Sequence, residues 1–349
     1  MAREPQPRQT DVKKQVKIGL KLAALATLLI AMLVWCLSGP IRRWTLDQPV
    51  FDAQPPQRLP EPAGALAAGN LDGNAWDDLA VSSAPGSSSR ITVHLGGESG
   101  PRLDAPLDLP EAFGALDLVL ADLDGDGLDE IIATPASEQS RGFAIWWNEG
   151  QGRFRRAGVP LPLRLIDVVD DDGDGASEIV GVTRDHSAIQ VHRVSGQEVA
   201  LNATVTADLY DNSVRDIAAA QLDRGGLDLA LVARDRVRLF RSGGLVPDPT
   251  SHFNLPVRSI RLDRSSPATP SLVLGDLNSD GRPDLAVLDD RAIRLQLGLG
   301  GGTFTEARLP LTGQPALRLI SGDFDGDGRA DLMTVALDAQ TVQCLLRRR

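Results

Sequence analysis

The sequence predicts an all-β chain: a β-propeller of six (or seven) four-stranded blades, preceded by one N-terminal transmembrane helix. Three observations predict the ring. A short acidic loop recurs six times at a spacing near fifty residues, each copy runs into an apolar strand, and a Phe-led segment near residue 51 matches one that the last repeat lacks. Self-similarity at such a period marks solenoids, propellers or arrays.

In chain order, the first element is Ile18 to Leu37, apolar except for Lys21. About 20 such residues make one helix across the roughly 30 Å hydrocarbon core, and Lys21, near its edge, can snorkel outward. Arg3, Arg8, Lys13, Lys14 and Lys17 precede the run, and Arg42 and Arg43 follow it. The positive-inside rule then makes 1–17 a cytoplasmic tail, 18–38 an uncleaved signal anchor and 39–47 a juxtamembrane linker. It places 48–349 outside, extracellular or periplasmic, on a single-pass cell-membrane protein. A cleaved signal peptide is the alternative, but no small-x-small site follows the run. Cys36 and Cys344 give no disulfide framework.

The loops begin at Asn70, Asp122, Asp170, Gln221, Asp276 and Asp323, with steps of 52, 48, 51, 55 and 47 residues. Oxygen ligands sit at loop positions 1, 3, 5 and 9. The copies carry Asp122, Asp124, Asp126 and Glu130; Asp170, Asp172, Asp174 and Glu178; Asp276, Asn278, Asp280 and Asp284; and Asp323, Asp325, Asp327 and Asp331. The first copy has Asn70, Asp72, Asn74 and Asp78, with Ala75 where the others that keep the pattern have glycine. The fourth has decayed to Gln221, Asp223 and Gly225, with Asp228 one residue early.

Alternating Asp and Asn in a tight turn can aim hard oxygens at one centre, as Ca2+ requires. The glycine at position 6 supplies a positive φ. An EF-hand would need a Glu at position 12 and flanking helices; position 12 is Val81, Ala133, Gly181, Val287 and Thr334, inside apolar runs that read as strands. Turn formation alone also favours Asp, Asn and Gly, but five copies at one spacing point to metal. The formal net charge is -11, and five divalent cations would bring it to about -1. The expectation is four strong Ca2+ sites, one weak site at 70 and none at 221, with metal binding coupled to folding.

Each full repeat holds four strands, but the last stops one strand after its loop. Phe51 precedes Asn70 by the same 19 residues that separate Phe304 from Asp323, so the start of the region supplies the missing strand and closes the ring. Closure removes exposed sheet edges. A capped solenoid is the runner-up.

The segment from Asp276 to Val287, the loop at Asp323 and the stretch Ala144 to Phe154 resemble FG-GAP/VCBS repeats of integrin-alpha-like β-propellers. The resemblance spans about 48–349 and implies calcium at the matching loop positions and a role in adhesion or ligand binding. Six units, against seven in integrin-type rings, are a departure.

No Ser-His-Asp spacing, HExxH motif or phosphate-cradling loop appears, so an enzyme is not the reading adopted. His94 and His192 fall in comparable strands and could converge on a channel, although buried structural roles account for them more simply. Trp76, Trp146 and Trp147 are candidate exposed aromatics; strand alternation sends the last two to opposite faces, and packing is the reading for both. The acidic balance argues against nucleic acid. The expected partners are an extracytoplasmic protein or glycan, with membrane contact through the N-terminal helix. The alternatives are a calcium-dependent polysaccharide lyase or hydrolase, or a scaffold subunit of an envelope complex.

Overall fold

Each acidic loop joins two short runs rich in Val, Ile, Leu and Ala, which suit a pleated, buried surface, and the runs pair antiparallel across the loop. A computed structural model of the chain describes residues 51–348 apart from 85, 110–111, 138–141, 171–176, 206–213, 221–227, 234–235, 242–257, 262–270, 290–291, 301–302 and 311–314. The chain forms two units, Met1–Gln48 and Pro49–Arg349. The predicted tail, the 18–38 anchor and the linker lie outside the described residues. Among the described residues, no helix is long and apolar enough to cross a membrane.

The second unit opens with β1 (Phe51–Ala53) and β2 (Gln57–Arg58). Five four-stranded sheets follow. Blade 1 holds β3 (Ala63–Gly69), β4 (Asp78–Ser83), β5 (Ile91–His94) and β6 (Leu107–Asp108); blade 2 holds β7 (Ala115–Ala121), β8 (Glu130–Pro135), β9 (Phe143–Asn148) and β10 (Phe154–Val159). Blade 3 holds β11 (Leu163–Val169), β12 (Glu178–Thr183), β13 (Ile189–Ser195) and β14 (Glu198–Val205). Blade 4 holds β15 (Val214–Ala220), β16 (Asp228–Ala233), β17 (Arg236–Arg241) and β18 (Arg258–Arg261). Blade 5 holds β19 (Leu272–Gly275), β20 (Asp284–Asp289), β21 (Ala292–Gly300) and β22 (Thr303–Pro310). Blade 6 takes β23 (Ala316–Gly322), β24 (Asp331–Ala336) and β25 (Thr341–Arg347) from the end of the chain and β1 and β2 from its start.

Phe51 pairs with Arg347 and Gln57 with Val342, so the strand exchange expected from the Phe spacing is present. The innermost strands close the circle: β3 packs on β7, then β11, β15, β19 and β23 follow, and β23 returns to β3. The blade number is six. The apolar cores lie between neighbouring blades. Trp146, fully buried, joins the core shared by blades 1 and 2, and Trp147, on the opposite strand face, joins that of blades 2 and 3.

A bulge recurs near the start of five inner strands, between Ala63 and Ala65, Ala115 and Asp117, Leu163 and Leu165, Val214 and Asp216, and Ala316 and Arg318. One extra residue at a bulge re-aims the side chain that follows. Asp117, Asp216 and Arg318 all occupy that re-aimed place and line a central channel of about 210 Å³.

Candidate metal centres and central channel

Each described loop is a staircase of side-chain-to-backbone bonds. The position-1 side chain accepts from the N–H of position 4 (Gly73 to Asn70 2.8 Å, Gly125 to Asp122 2.7 Å, Gly326 to Asp323 2.8 Å). In three loops it also accepts from position 6 (Gly127 2.9 Å, Gly281 2.8 Å, Gly328 2.7 Å). The position-5 side chain accepts from position 7: Trp76 to Asn74, Leu128 to Asp126 and Arg282 to Asp280. Gly127 has φ 87°, as the sequence requires of it, and a second left-handed residue sits at position 4, where Ser279 reaches φ 53°. Ala75 is not in the left-handed region, so the first loop turns differently at position 6.

The position-9 acids open the second strand of each blade. Asp78, Glu130, Glu178, Asp284 and Asp331 are fully buried. Asp78 accepts from Leu71 N–H (2.7 Å) and Gly96 N–H (2.6 Å), and Asp331 from Phe324 N–H (3.1 Å) and Arg347 N–H (2.6 Å). Glu130 accepts from Leu123 N–H at 2.8 Å and Asp284 from Gly298 N–H at 2.7 Å. Each acid thus ties the loop to the end of the third strand. Burial pushes Asp78, Asp284 and Asp331 up to about 6 and Glu130 to about 7. Asp228, which the sequence places one residue early, pairs with Ala220 as Asp78 pairs with Gly69, and it is buried like the others. The acid therefore persists in the blade whose loop has decayed.

Among the described residues, two loops bring three carboxylates together. Asp122, Asp124 and Glu130 form one cluster and Asp323, Asp325 and Asp331 the other, each with one ligand oxygen per residue, all within 4.8 Å. Asp126 and Asp327 are not in these clusters. In the loop of Asp276, Asn278, Asp280 and Asp284, the buried Asp284 carboxyl lies against the Gly298 and Leu277 amides, and the nearby Asp276 and Asp280 charges add to the burial that disfavours its ionisation. These all-oxygen sets fit a hard divalent cation. The loop of Asn70, Asp72, Asn74 and Asp78 forms no such cluster. Asp172 and Asp174 lie outside the described residues; Asp170 is half-buried, and the Glu178 carboxylate meets the Arg193 guanidinium at 3.2 Å.

Sequence reasoning missed the carboxylates that cross blade seams. Asp77 and Asp129 occupy loop position 8. The Asp77 carboxylate accepts from Asp323 N–H and that of Asp129 from Asn70 N–H, both at 2.7 Å, so each reaches the first residue of the preceding loop. The glycine before that residue is required by close approach: a Cβ on Gly69 would lie 2.2 Å from Asp129 Oδ2, and one on Gly322 2.9 Å from Asp77 Oδ2. Trp76 packs at the same seam and donates to Asp325 O at 3.2 Å.

In the channel, Asp117 accepts from Ile166 N–H (3.0 Å), Asp167 from Ala219 N–H (2.6 Å) and Asp216 from Leu272 N–H (2.9 Å). Ser271 Oγ donates to Leu319 O at 3.2 Å. His94 and His192 stand on third strands, away from the channel; Thr92 and Gln190, on the same strands, hydrogen-bond to them, and His94 also meets the Arg102 carbonyl at 3.4 Å. They do not converge.

Residues 276–334 match the model of the FG-GAP-like repeat. No curated protein matches the sequence. Among solved structures, the chain is similar to BBS1N in complex with ARL6DN. A lead-soaked crystal aligns at 14% identity and TM-score 0.53, covering 86% of this chain and 98% of that one; a mercury-soaked crystal gives 12%, 0.54, 85% and 97%. A lectin from Agrocybe aegerita that recognises non-reducing terminal N-acetylglucosamine aligns at 16% identity and TM-score 0.47, covering 80% and 74%. At these identities the likeness to BBS1N is one of fold.

Proposed function

We propose, from the premise that this chain is an FG-GAP repeat β-propeller, that it is a calcium-stabilised binding module displayed outside the cytoplasm by the 18–38 anchor. Its partners are proteins or glycans. The observation that carries the reading is the pair of carboxylate clusters at Asp122/Asp124/Glu130 and Asp323/Asp325/Asp331, each set in a loop fastened to its blade by a buried acid. Ca2+ there would supply charge compensation and cross-link the loop turns; the loop of Asp276, Asp280 and Asp284, whose like charges repel one another, would serve a third site. In the loop that begins at Asp170, the Arg193 guanidinium, 3.2 Å from Glu178, would compete with a cation, and in this reading that site binds more weakly than those at 122 and 323.

In this reading the metal holds the scaffold and the ligand binds elsewhere. That a fold neighbour was crystallised in complex with a protein is in keeping with a protein-binding role. The test is affinity capture from native membranes with the full-length chain, in calcium and in chelator, beside incubation with a polysaccharide panel. Specific, calcium-dependent co-purification supports the proposal. Polysaccharide turnover would replace it with the enzyme reading, and a melting temperature indifferent to chelator would remove calcium from it.

A further inference from the structure

The channel carries charge that the function above does not use. Asp117, Asp167 and Asp216 each commit Oδ2 to an N–H of the next blade, stitching blades 2 to 3, 3 to 4 and 4 to 5 in succession. Asp117 and Asp216 also accept the N–H of their own following residue, at 3.2 and 3.0 Å. Among the described residues lining the channel, Arg318 on β23 is the one cation; β3 contributes Ala65 to Ala68, and the start of β19 adds Ser271 and apolar groups. Arg164 and Arg215, on the same strands as two of the acids, lie near His186, where they add to the burial that disfavours its protonation. Three carboxylates therefore share one guanidinium in about 210 Å³.

We propose that Asp117, Asp167 and Asp216 form a proton-linked latch across three consecutive blade seams, which tightens as the channel takes up protons and loosens as it loses them. A neutral carboxyl keeps an acceptor oxygen for the neighbouring N–H, so protonation removes repulsion without undoing the stitch. Burial, with repulsion from neighbouring acids, pushes Asp117 and Asp167 to about 7, and burial pushes Asp216 in the same direction. A folded-state pKa raised above the unfolded one stabilises fully below about 4 and loses that contribution as pH rises through the folded value. The latch is therefore fully set below about pH 4, loosens progressively between about pH 4 and 7 and is released above it.

The experiment uses the full-length chain in detergent at saturating calcium, which holds the loops constant. Exchange of the Ile166, Ala219 and Leu272 amides, corrected for intrinsic rates, is followed from about pH 5 to 8.5. In the wild type their protection falls with pH below about 7, by up to about tenfold per pH unit for each linked carboxyl, and levels off above it. In Asp117→Asn/Asp167→Asn, neutral and isosteric, protection is higher at pH 8 and the slope is shallower. Parallel curves for the two proteins would overturn the proposal. Should the double variant not fold, the infrared band of protonated carboxyl groups decides. A component titrating near pH 7, diminished in Asp117→Asn, sustains the latch, and its absence from the wild type at pH 6 refutes it.

Discussion

Two sets of seams use one device at different places. At blades 6|1 and 1|2, Asp77 and Asp129 stand on the metal-loop level and accept a backbone N–H from the preceding blade. At blades 2|3, 3|4 and 4|5, Asp117, Asp167 and Asp216 stand in the channel and accept one from the following blade. The bond is the same; the surroundings are not. The outer pair lies beside loops that can gather divalent charge, whereas among the described residues lining the channel the trio has Arg318 as its one cation. Burial opposes ionisation in both sets, pushing Asp129 up to about 6 and Asp77 in the same direction; a divalent cation can offset this at the outer pair, so the outer stitches should strengthen with calcium and the inner ones with protons.

The severest way to break this comparison is to remove the backbone closure at seam 6|1. Deleting residues 45–60 takes away β1 and β2 and leaves β25 with an open edge. The expected outcome is loss of the cooperative thermal transition in both calcium and chelator. A ring that still melts as one unit would mean that Asp77 and its neighbours close it unaided.

Next in size is the position-9 acid. Glu130→Ala leaves the buried Leu123 N–H without its acceptor; a buried donor left unsatisfied costs about 1–3 kcal/mol. The loss should be larger in calcium than in chelator, because the site goes as well. Asp228→Ala, in the blade whose loop has decayed, should cost about as much with or without calcium, and a calcium-dependent loss there would contradict the scaffold role assigned to this position. The same acids set the pH response of metal binding. They must be ionised to bind, and burial holds them near 6 to 7 in the metal-free chain. Calorimetric calcium affinity should therefore fall steadily from pH 8 to 5; a flat profile would place the metal elsewhere.

The ring, its closing strand and the loop ligands were legible because they are carried by spacing: a period near fifty, a loop pattern of 1, 3, 5 and 9, and two phenylalanines at the same offset. The channel was not. Asp117 and Asp216 sit inside apolar runs as isolated acids, and their direction depends on a bulge that no local residue type announces. The doublets Asp77-Asp78 and Asp129-Glu130 held a partial signal, since adjacent residues at a strand start face opposite ways and only one of each pair can serve the loop. Treating Asp228 as out of place followed from fixing the loop length; strand pairing shows that the loop is shorter and the acid keeps its register.

Gly69 tests the outer stitch by size. A methyl group there would meet Asp129 Oδ2 at 2.2 Å, and overpacking of this kind costs about 1–3 kcal/mol. Gly69→Ala should lower the melting temperature, and adding Asp129→Ala should recover part of the loss. Strict additivity of the two changes would show that the carboxylate can move aside and that the contact is not what fixes glycine at this place.

The smallest effect separates the two regions most sharply, since it concerns sign. Asp77→Asn keeps an oxygen for Asp323 N–H but gives up the charge beside the loop, and a charge-assisted hydrogen bond is roughly twice as strong as a neutral one. In calcium at pH 8 it should destabilise by about 0.5–1 kcal/mol. Asp216→Asn keeps an oxygen for Leu272 N–H in the same way, yet removes one of the carboxylates that crowd the channel, so at pH 8 it should stabilise, and lowering the pH to 5 should erase the gain. Denaturant melts of the two variants under matched conditions give both signs directly. Destabilisation in both would mean that Arg318 already balances the trio and that the inner and outer stitches are one device in one setting.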